Sequence, residues 1–394
     1  MLGKNLNTDL IAFASLNSSQ RGGLCVSELM ALVPSITLNS GHKIPQLAFG
    51  TFDSPTDVVT KAVEVAMDAG FRHIDCAMFY RNEPEVGAAI ATSMKKHNLK
   101  REDIFVTSKL WCDKHAPEDV RKTCERSIKD LGVQYLDLYL IHWPVSFQHK
   151  EGHRFNIHDL NCIVYEHHKI EDTWKAMEEL VSAGLVKSIG VSNFNIRQIE
   201  RILESCTIPP AVNQVEVNIN WLNTKLIDFC HSKNIHIEDY APFGSPGFMK
   251  SKEKSILENE TVVEIAHKHE KTPGQVLLRH GLQRGLIVLT KSVHPERIKS
   301  NFDVFNFELT DAEMEKLNKA GSNKRLFVIP ACVLILPLSM SLSFSVLKST
   351  RNIRSTMSTN CFAVVYSCIS VRNCVSTCQP LFFLPFIALL TIKK

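Results

Sequence analysis

The sequence predicts an α/β protein, a (β/α)8 TIM barrel, and three observations carry that expectation. Strand-like and helix-like patterns alternate from Gln46 to Asn301. They make about eight βα units in roughly 260 residues, the size of such a barrel. Polar residues gather where the strand-like runs end, which is where a barrel keeps its chemistry. A doubly wound sheet needs fewer units and a Gly-rich first turn, and no G-x-G-x-x-G occurs.

Taken in order, Ser35 to Pro45 reads as a short hairpin around Asn39 to His42. Strand-like runs follow at Gln46–Thr51, Phe71–Asp75, Ile104–Ser108, Leu136–His142, Lys187–Val191, Ala211–Glu216, His236–Tyr240 and Leu286–Thr290. Helix-like stretches occupy Thr56–Ala69, Pro84–His97, Pro117–Leu131, Ile170–Ala183, Ile196–Glu204, Thr224–Lys233, Thr261–His269 and Pro295–Asn301. An acid and a Pro at Glu83-Pro84 suit the first turn of the second helix.

The strand ends supply the candidate chemistry. Asp75 leaves the second run, and Tyr80 stands in the turn that follows. A carboxylate beside a phenol suits proton transfer when a cation lowers the phenol's pKa. Lys109, at the end of the third run, is the candidate cation, and His142 closes the fourth. Each alone reads as a turn former, a solvated lysine or a core histidine. Four of them meeting at one barrel mouth read as a site.

These residues carry a resemblance to the aldo-keto reductase family, near its aldose/aldehyde reductase group. One family signature matches from Gly70 to Gly87; others fall at Ser108-Lys109-Leu110-Trp111, Leu136 to Pro144, Gly190 to Phe194, Asn213 to Glu216 and Lys291 to Ile298. The match runs from about Ser35 to Lys324. It implies a catalytic tetrad of Asp75, Tyr80, Lys109 and His142, with Tyr80 as proton donor to a carbonyl reduced by hydride from NADPH. By the same resemblance Ser192, Asn193 and Gln214 bond the nicotinamide carboxamide, and Tyr240 stacks on its ring. Lys291, Ser292 and Arg297 take the adenosine 2′-phosphate, so NADPH/NADP+ is expected over NADH, and Asn301 contacts adenine. Thr51, Phe243, Ser245 and Val293 complete the expected cofactor site. Phe52, Trp111, His142 and Trp143 form the expected substrate pocket, an aromatic wall suited to apolar carbonyls.

Several positions depart from the family. Phe52 stands where many relatives have Trp or Tyr, Asn218-Ile219 replaces His-Pro, Thr290 replaces a common Pro and Ser300 an acid. The loop after Tyr240 diverges past Pro246, and the resemblance stops near Arg325-Leu326, where the family's specificity loop would begin. A steroid or prostaglandin dehydrogenase is therefore the runner-up to an aldehyde reductase. A binding protein on the same barrel is the alternative from another class.

Composition frames this reading. Of 394 residues 44% are hydrophobic and 22% charged, ordinary for a soluble globular protein, and a net charge of +4 does not suggest nucleic acid. From Val328 onward there is no Asp or Glu, while six basic residues occur there, so the remainder is slightly acidic. Three segments are expected: a polar extension over 1–34, the barrel over 35–326, and an apolar Ser- and Cys-rich tail over 327–394. Leu326 to Leu347 is long enough to span a bilayer, but Pro330, Pro337 and several serines interrupt it. A poorly ordered or aberrant C-terminus is the preferred reading. Scattered cysteines suit a reducing compartment, and the barrel is expected to act as a cytoplasmic monomer on a small carbonyl compound. His149, His153, His158, His167 and His168 lie in one loop without metal-ligand spacing, so no metal is expected.

Overall fold

The computed structural model of the protein describes residues 33–148, 163–246 and 254–327. Strands β1 (Ser35–Thr37) and β2 (Lys43–Pro45) form the expected hairpin, with Ser35 opposite Pro45. Eight strands then close a parallel barrel: β3 (Leu47–Gly50), β4 (His73–Asp75), β5 (Phe105–Leu110), β6 (Leu136–Ile141), β9 (Val186–Ser192), β10 (Val212–Glu216), β11 (His236–Tyr240) and β12 (Ile287–Thr290). β12 pairs back onto β3 with Leu289 opposite Ala48. Between β6 and β9, β7 (Ser146–Phe147) and β8 (Tyr165–Glu166) add a two-residue antiparallel pair that the sequence patterns do not signal.

Because strand side chains alternate, every second residue points into the barrel. Leu138, Leu140, Val212 and Ile287 pack there against Leu38 and Ile44 of the hairpin. The hairpin thus plugs the end where strands begin, and Asn39 Nδ2 donates to the Pro210 carbonyl at 2.8 Å to hold it. Polar residues occupy inward positions toward the other end.

The outer ring is α1 (Thr56–Ala69), α2 (Glu83–His97), α3 (Pro117–Asp130), α4 (Ile170–Ser182), α5 (Ile196–Leu203), α6 (Thr224–Ser232), α7 (Glu260–Lys268), α8 (Pro273–Gln283), α9 (Pro295–Phe302) and α10 (Asp311–Lys319). Two of these, α8 and α10, are absent from the expectation. The expected seventh barrel helix, Thr261–His269, corresponds to α7, an addition; α8 is the helix that follows β11 onto the barrel face. In the sequence Pro273-Gly274 resembles a turn, yet Thr272 is a helix N-cap. Its hydroxyl accepts from Gln275 N at 3.2 Å, while Gln275 Oε1 accepts from Thr272 N at 2.9 Å. Thr310 and Glu313 build the same capping box for α10. That helix is easily missed because only Glu313 and Leu317 of its nine residues are buried.

Candidate active site

Lys109 lies inside β5 rather than after it, fully buried and pointing inward. Its Nζ donates to both Asp75 oxygens at 2.7 Å, to the Cys76 carbonyl at 2.8 Å and to Tyr80 Oη at 3.2 Å. Burial alone would strip its proton. Asp75 and Tyr80 outweigh that penalty and hold its pKa above the ordinary lysine value. An ammonium can only donate, so Tyr80 Oη is the acceptor and keeps its own hydrogen for the cleft that it lines.

The expected fall in the Tyr80 pKa is not what the protein alone produces. Burial pushes the phenol up to about 12, and the nearby Lys109 offsets only part of that. The physical result is a tyrosine kept protonated, in the state that gives a proton away. His142 is neutral too, since burial first and then the Lys109 charge pull its pKa well below the usual value. Its ring stands edge-on to Tyr80 with centroids 5.7 Å apart, and its Nδ1 has no hydrogen-bond partner.

These groups face a cleft of about 710 Å³ at the strands' C-terminal ends. Trp111, Trp143 and Phe52 line it with aromatic rings. Phe79, not anticipated from sequence, stacks on Trp111 at 3.8 Å between centroids and 12° between planes. Ser192, Asn193, Gln214 and Tyr240 also reach the cleft. Tyr240 Oη donates to Asn193 Oδ1 at 2.7 Å, and Asn193 Nδ2 donates to the His142 carbonyl at 3.0 Å. Gln214 gives both amide hydrogens away, to Asp75 Oδ2 at 2.9 Å and to Glu238 Oε2 at 2.8 Å. Only its carbonyl oxygen is left to offer a ligand.

At the cleft's far end Lys291, Ser292 and Val293 follow β12, and Arg297 lies in the first turn of α9. Two cations beside a helix N-terminus suit a phosphate. Phe243 and Ser245 border the same cleft from the loop after β11. In that loop Ala241 (φ 59°) and Ser245 (φ 45°) adopt the left-handed region that non-glycine residues avoid. The loop's continuation at 247–253 lies outside the described residues.

Two expected cofactor residues are placed differently from the rest. Thr51 is buried behind the cleft, its hydroxyl donating to the Asp75 carbonyl at 2.8 Å. Asn301 reaches the cleft, and its amide donates one hydrogen to Thr290 Oγ1 at 2.7 Å, leaving the other hydrogen and the carbonyl for a ligand. The threonine that departs from the family thus orients the asparagine. Glu216 stood in the sequence as a polar strand end with no role assigned, and Phe327 was not anticipated. The Glu216 carboxylate accepts from the backbone N–H groups of Leu326 and Phe327 at 2.9 and 2.8 Å. This seats the Phe327 ring edge-on to Tyr240, 5.3 Å away, on the cleft wall. Only the fold shows that β10 ends beside residue 326.

Of the five loop histidines, His149, His153 and His158 lie outside the described residues, as does the tail from Val328. Among the described residues no group of three or more His, Cys, Asp or Glu converges as a metal site would, and no helix is long and apolar enough to cross a membrane.

A lysine–aspartate pair buried under a protonated tyrosine, at the mouth of a parallel barrel with a phosphate-suited rim, defines a class: barrel oxidoreductases working on a carbonyl or alcohol. The family model described as "Aldo/keto reductase family" matches residues 46–322. The chain is 43% identical over 305 residues to aldo-keto reductase family 1 member A1-A of Danio rerio, covering 77% of this chain and 94% of that one. It is 44% identical over 300 residues to estradiol 17 beta-dehydrogenase 5 of Mus musculus, covering 74% and 92%. The solved aldose reductase of Schistosoma japonicum superposes with a TM-score of 0.71 at 47% identity, over 76% of this chain and 96% of that one. The chain belongs to the aldo/keto reductase family, as an oxidoreductase of the aldose reductase type.

Proposed function

We propose that the protein reduces aldehydes, and some ketones, to alcohols, with hydride from NADPH and a proton from Tyr80. The observation that carries this is Lys109 Nζ, 2.7 Å from Asp75 and 3.2 Å from the Tyr80 hydroxyl, in a cleft large enough for a dinucleotide's reactive end and a substrate. As an alkoxide forms, Tyr80 releases its proton and becomes a phenolate, which the Lys109 charge stabilises. Asp75 keeps Lys109 charged and in place. His142, neutral, directs its one N–H toward the carbonyl oxygen, polarising and orienting it.

The donor set fits a nicotinamide dinucleotide phosphate. Gln214, with its amide hydrogens committed to carboxylates, presents a carbonyl to a carboxamide, and Asn193 and Ser192 stand beside it. Lys291, Ser292 and Arg297 suit a 2′-phosphate. When bound, the cofactor supplies the hydride; the residues here bind it, exclude water and hold the proton.

Tyr80→Phe is expected to lower kcat by about 10³-fold, the scale of a lost general acid, with NADPH binding nearly unchanged. Purified protein is assayed by NADPH oxidation over a panel of aldehydes, with cofactor affinity read by fluorescence titration. Normal turnover in the variant would remove Tyr80 as the acid. The aromatic wall and the likeness to an estradiol dehydrogenase favour ketosteroids as a second substrate class. Running ketosteroids beside the aldehydes ranks the two by kcat/KM.

A further inference from the structure

Glu238 is fully buried inside the barrel on β11, and nothing in the mechanism above uses it. It sits at an inward position one layer below Tyr240. Its Oε2 accepts from Gln214 Nε2 at 2.8 Å, and the same nitrogen donates to Asp75 Oδ2 at 2.9 Å. Its Oε1 makes no hydrogen bond as a bare carboxylate oxygen, although His73 Nε2 stands 3.5 Å away.

The hydrogen-bond pattern assigns a proton to that oxygen. His73 Nδ1 faces the Pro45 carbonyl at 3.4 Å, and a carbonyl only accepts, so Nδ1 carries the hydrogen. His73 is neutral, since burial pushes its pKa down to about 3. Its Nε2 is therefore an acceptor, its one lone pair shared between the Thr107 hydroxyl at 3.0 Å and Glu238 Oε1 at 3.5 Å. A bare carboxylate oxygen set against that lone pair in a dry barrel is disfavoured, and a proton on it removes the conflict.

We propose that Glu238 is a positioning residue for the reduction, held as a neutral acid beneath the tetrad. It fixes the Gln214 amide between two carboxyl groups, and on ionising it adds a negative charge that slows proton release by Tyr80. The proposal rests on the carbonyl-reductase reading above.

The groups that face Glu238 among the described residues are His73 and Asp75 from β4, Lys109 from β5 and Gln214 from β10. Its β12 register partner, Ile287, is apolar. Burial first, then the Asp75 charge, push the Glu238 carboxyl well above the usual carboxylate range; the Gln214 hydrogen bond and Lys109 oppose them. Ionisation releases one proton to solvent and leaves two carboxylates on one Gln214 amide. The added charge disfavours the phenolate that Tyr80 must become, so reduction slows as rising pH ionises Glu238.

The test is the pH profile of kcat for the wild-type enzyme and Glu238→Gln, with infrared difference spectra of the same proteins without substrate. In the wild type, kcat is expected to fall about tenfold on the alkaline side, the scale of one extra charge at partly screened distance. The infrared band of a protonated carboxyl should disappear with the same midpoint. Glu238→Gln keeps an acceptor for Gln214, so its neutral-pH kcat should stay within about threefold while the alkaline limb moves up and the band is lost. An unmoved limb, or survival in the variant of the carboxyl band that titrates with the limb, overturns the proposal; the buried Asp239 carboxyl contributes a band of its own in both proteins. Should the variant not fold, the wild type alone decides, because limb and band with different midpoints also overturn the proposal. A protein that reduces no carbonyl at any pH fails the reductase reading, while the band still decides the state of Glu238.

Discussion

Lys291 stands half out of water on the cleft rim, its ammonium donating to the Asp53 carbonyl at 3.1 Å. Asp53 presents that carbonyl from a left-handed backbone (φ 51°). Partial burial pulls the lysine's pKa down, against the Asp53 charge. A phosphate arriving there would gain a charge-assisted partner already oriented. Lys291→Ala is therefore expected to weaken NADPH by about tenfold or more and NADH hardly at all, a comparison that titration with each cofactor makes directly. Equal losses would refute a 2′-phosphate role. At this scale the sequence is most readable where a titratable group ends a strand. Asp75, Tyr80, Lys109 and His142 could be singled out that way; Asp75, Tyr80 and His142 line one cleft, and Lys109 lies buried against the first two. Glu238 could not, because its meaning depends on His73 and Gln214 across the barrel. The sign of the Tyr80 pKa shift was also out of reach, since it turns on how dry the site is.

Helices α2 and α3 show what the stretch from Gly70 to Gly87 does structurally. Gly70 ends α1 in a left-handed conformation (φ 116°), with the Phe302 ring of α9 packed where a side chain would be. Gly87 lets α2 meet the end of α3 so closely that a Cβ would lie 2.4 Å from the Leu131 carbonyl oxygen. Gly87→Ala is expected to cost about 1–3 kcal/mol, because backbone and not a movable side chain stands in the way. Urea unfolding of the variant measures it, and an unchanged midpoint would show that the two helices can part freely. The same stretch presents Asp75 and Tyr80, so part of what marks it in the sequence is packing. Strands were legible to within a residue or two, since each is a short apolar run between helical patterns. The helices α8 and α10 escaped because polarity masked one and a Pro-Gly pair the other, although both carry a Thr followed three residues later by Gln or Glu.

For the molecule as a whole, four histidines make the fold sensitive to acid. His73 and His115 are pushed down to about 3 by burial and His280 to about 4, while His142 also lies well below its ordinary value. Unfolded, each would take a proton below about pH 6.5. Between that value and the folded pKa values the unfolded state binds more protons, so stability falls as pH falls, by at most about 1.4 kcal/mol per pH unit for each histidine. The raised carboxyls of Glu238 and Asp239 act the other way, but the four histidines outnumber them, so thermal melts from neutral pH down to about pH 5 should show a falling Tm; a Tm that rises would mean that these rings are already charged in the fold. The barrel itself was legible from the alternation of patterns and its length. The cleft's depth and the buried Glu238 carboxyl beneath it are properties of closure, which brings β4 and β11 across from each other.

The Glu216 carboxylate holds the chain at Leu326 and Phe327 through their main-chain N–H groups. A grip of that kind is indifferent to which amino acid it holds. Position 327 can therefore exchange one side chain for another while the chain's path past the cleft stays put. In evolutionary terms, the wall beside Tyr240 can change its shape without losing its anchor, the expense in stability being that of the buried Phe327 ring.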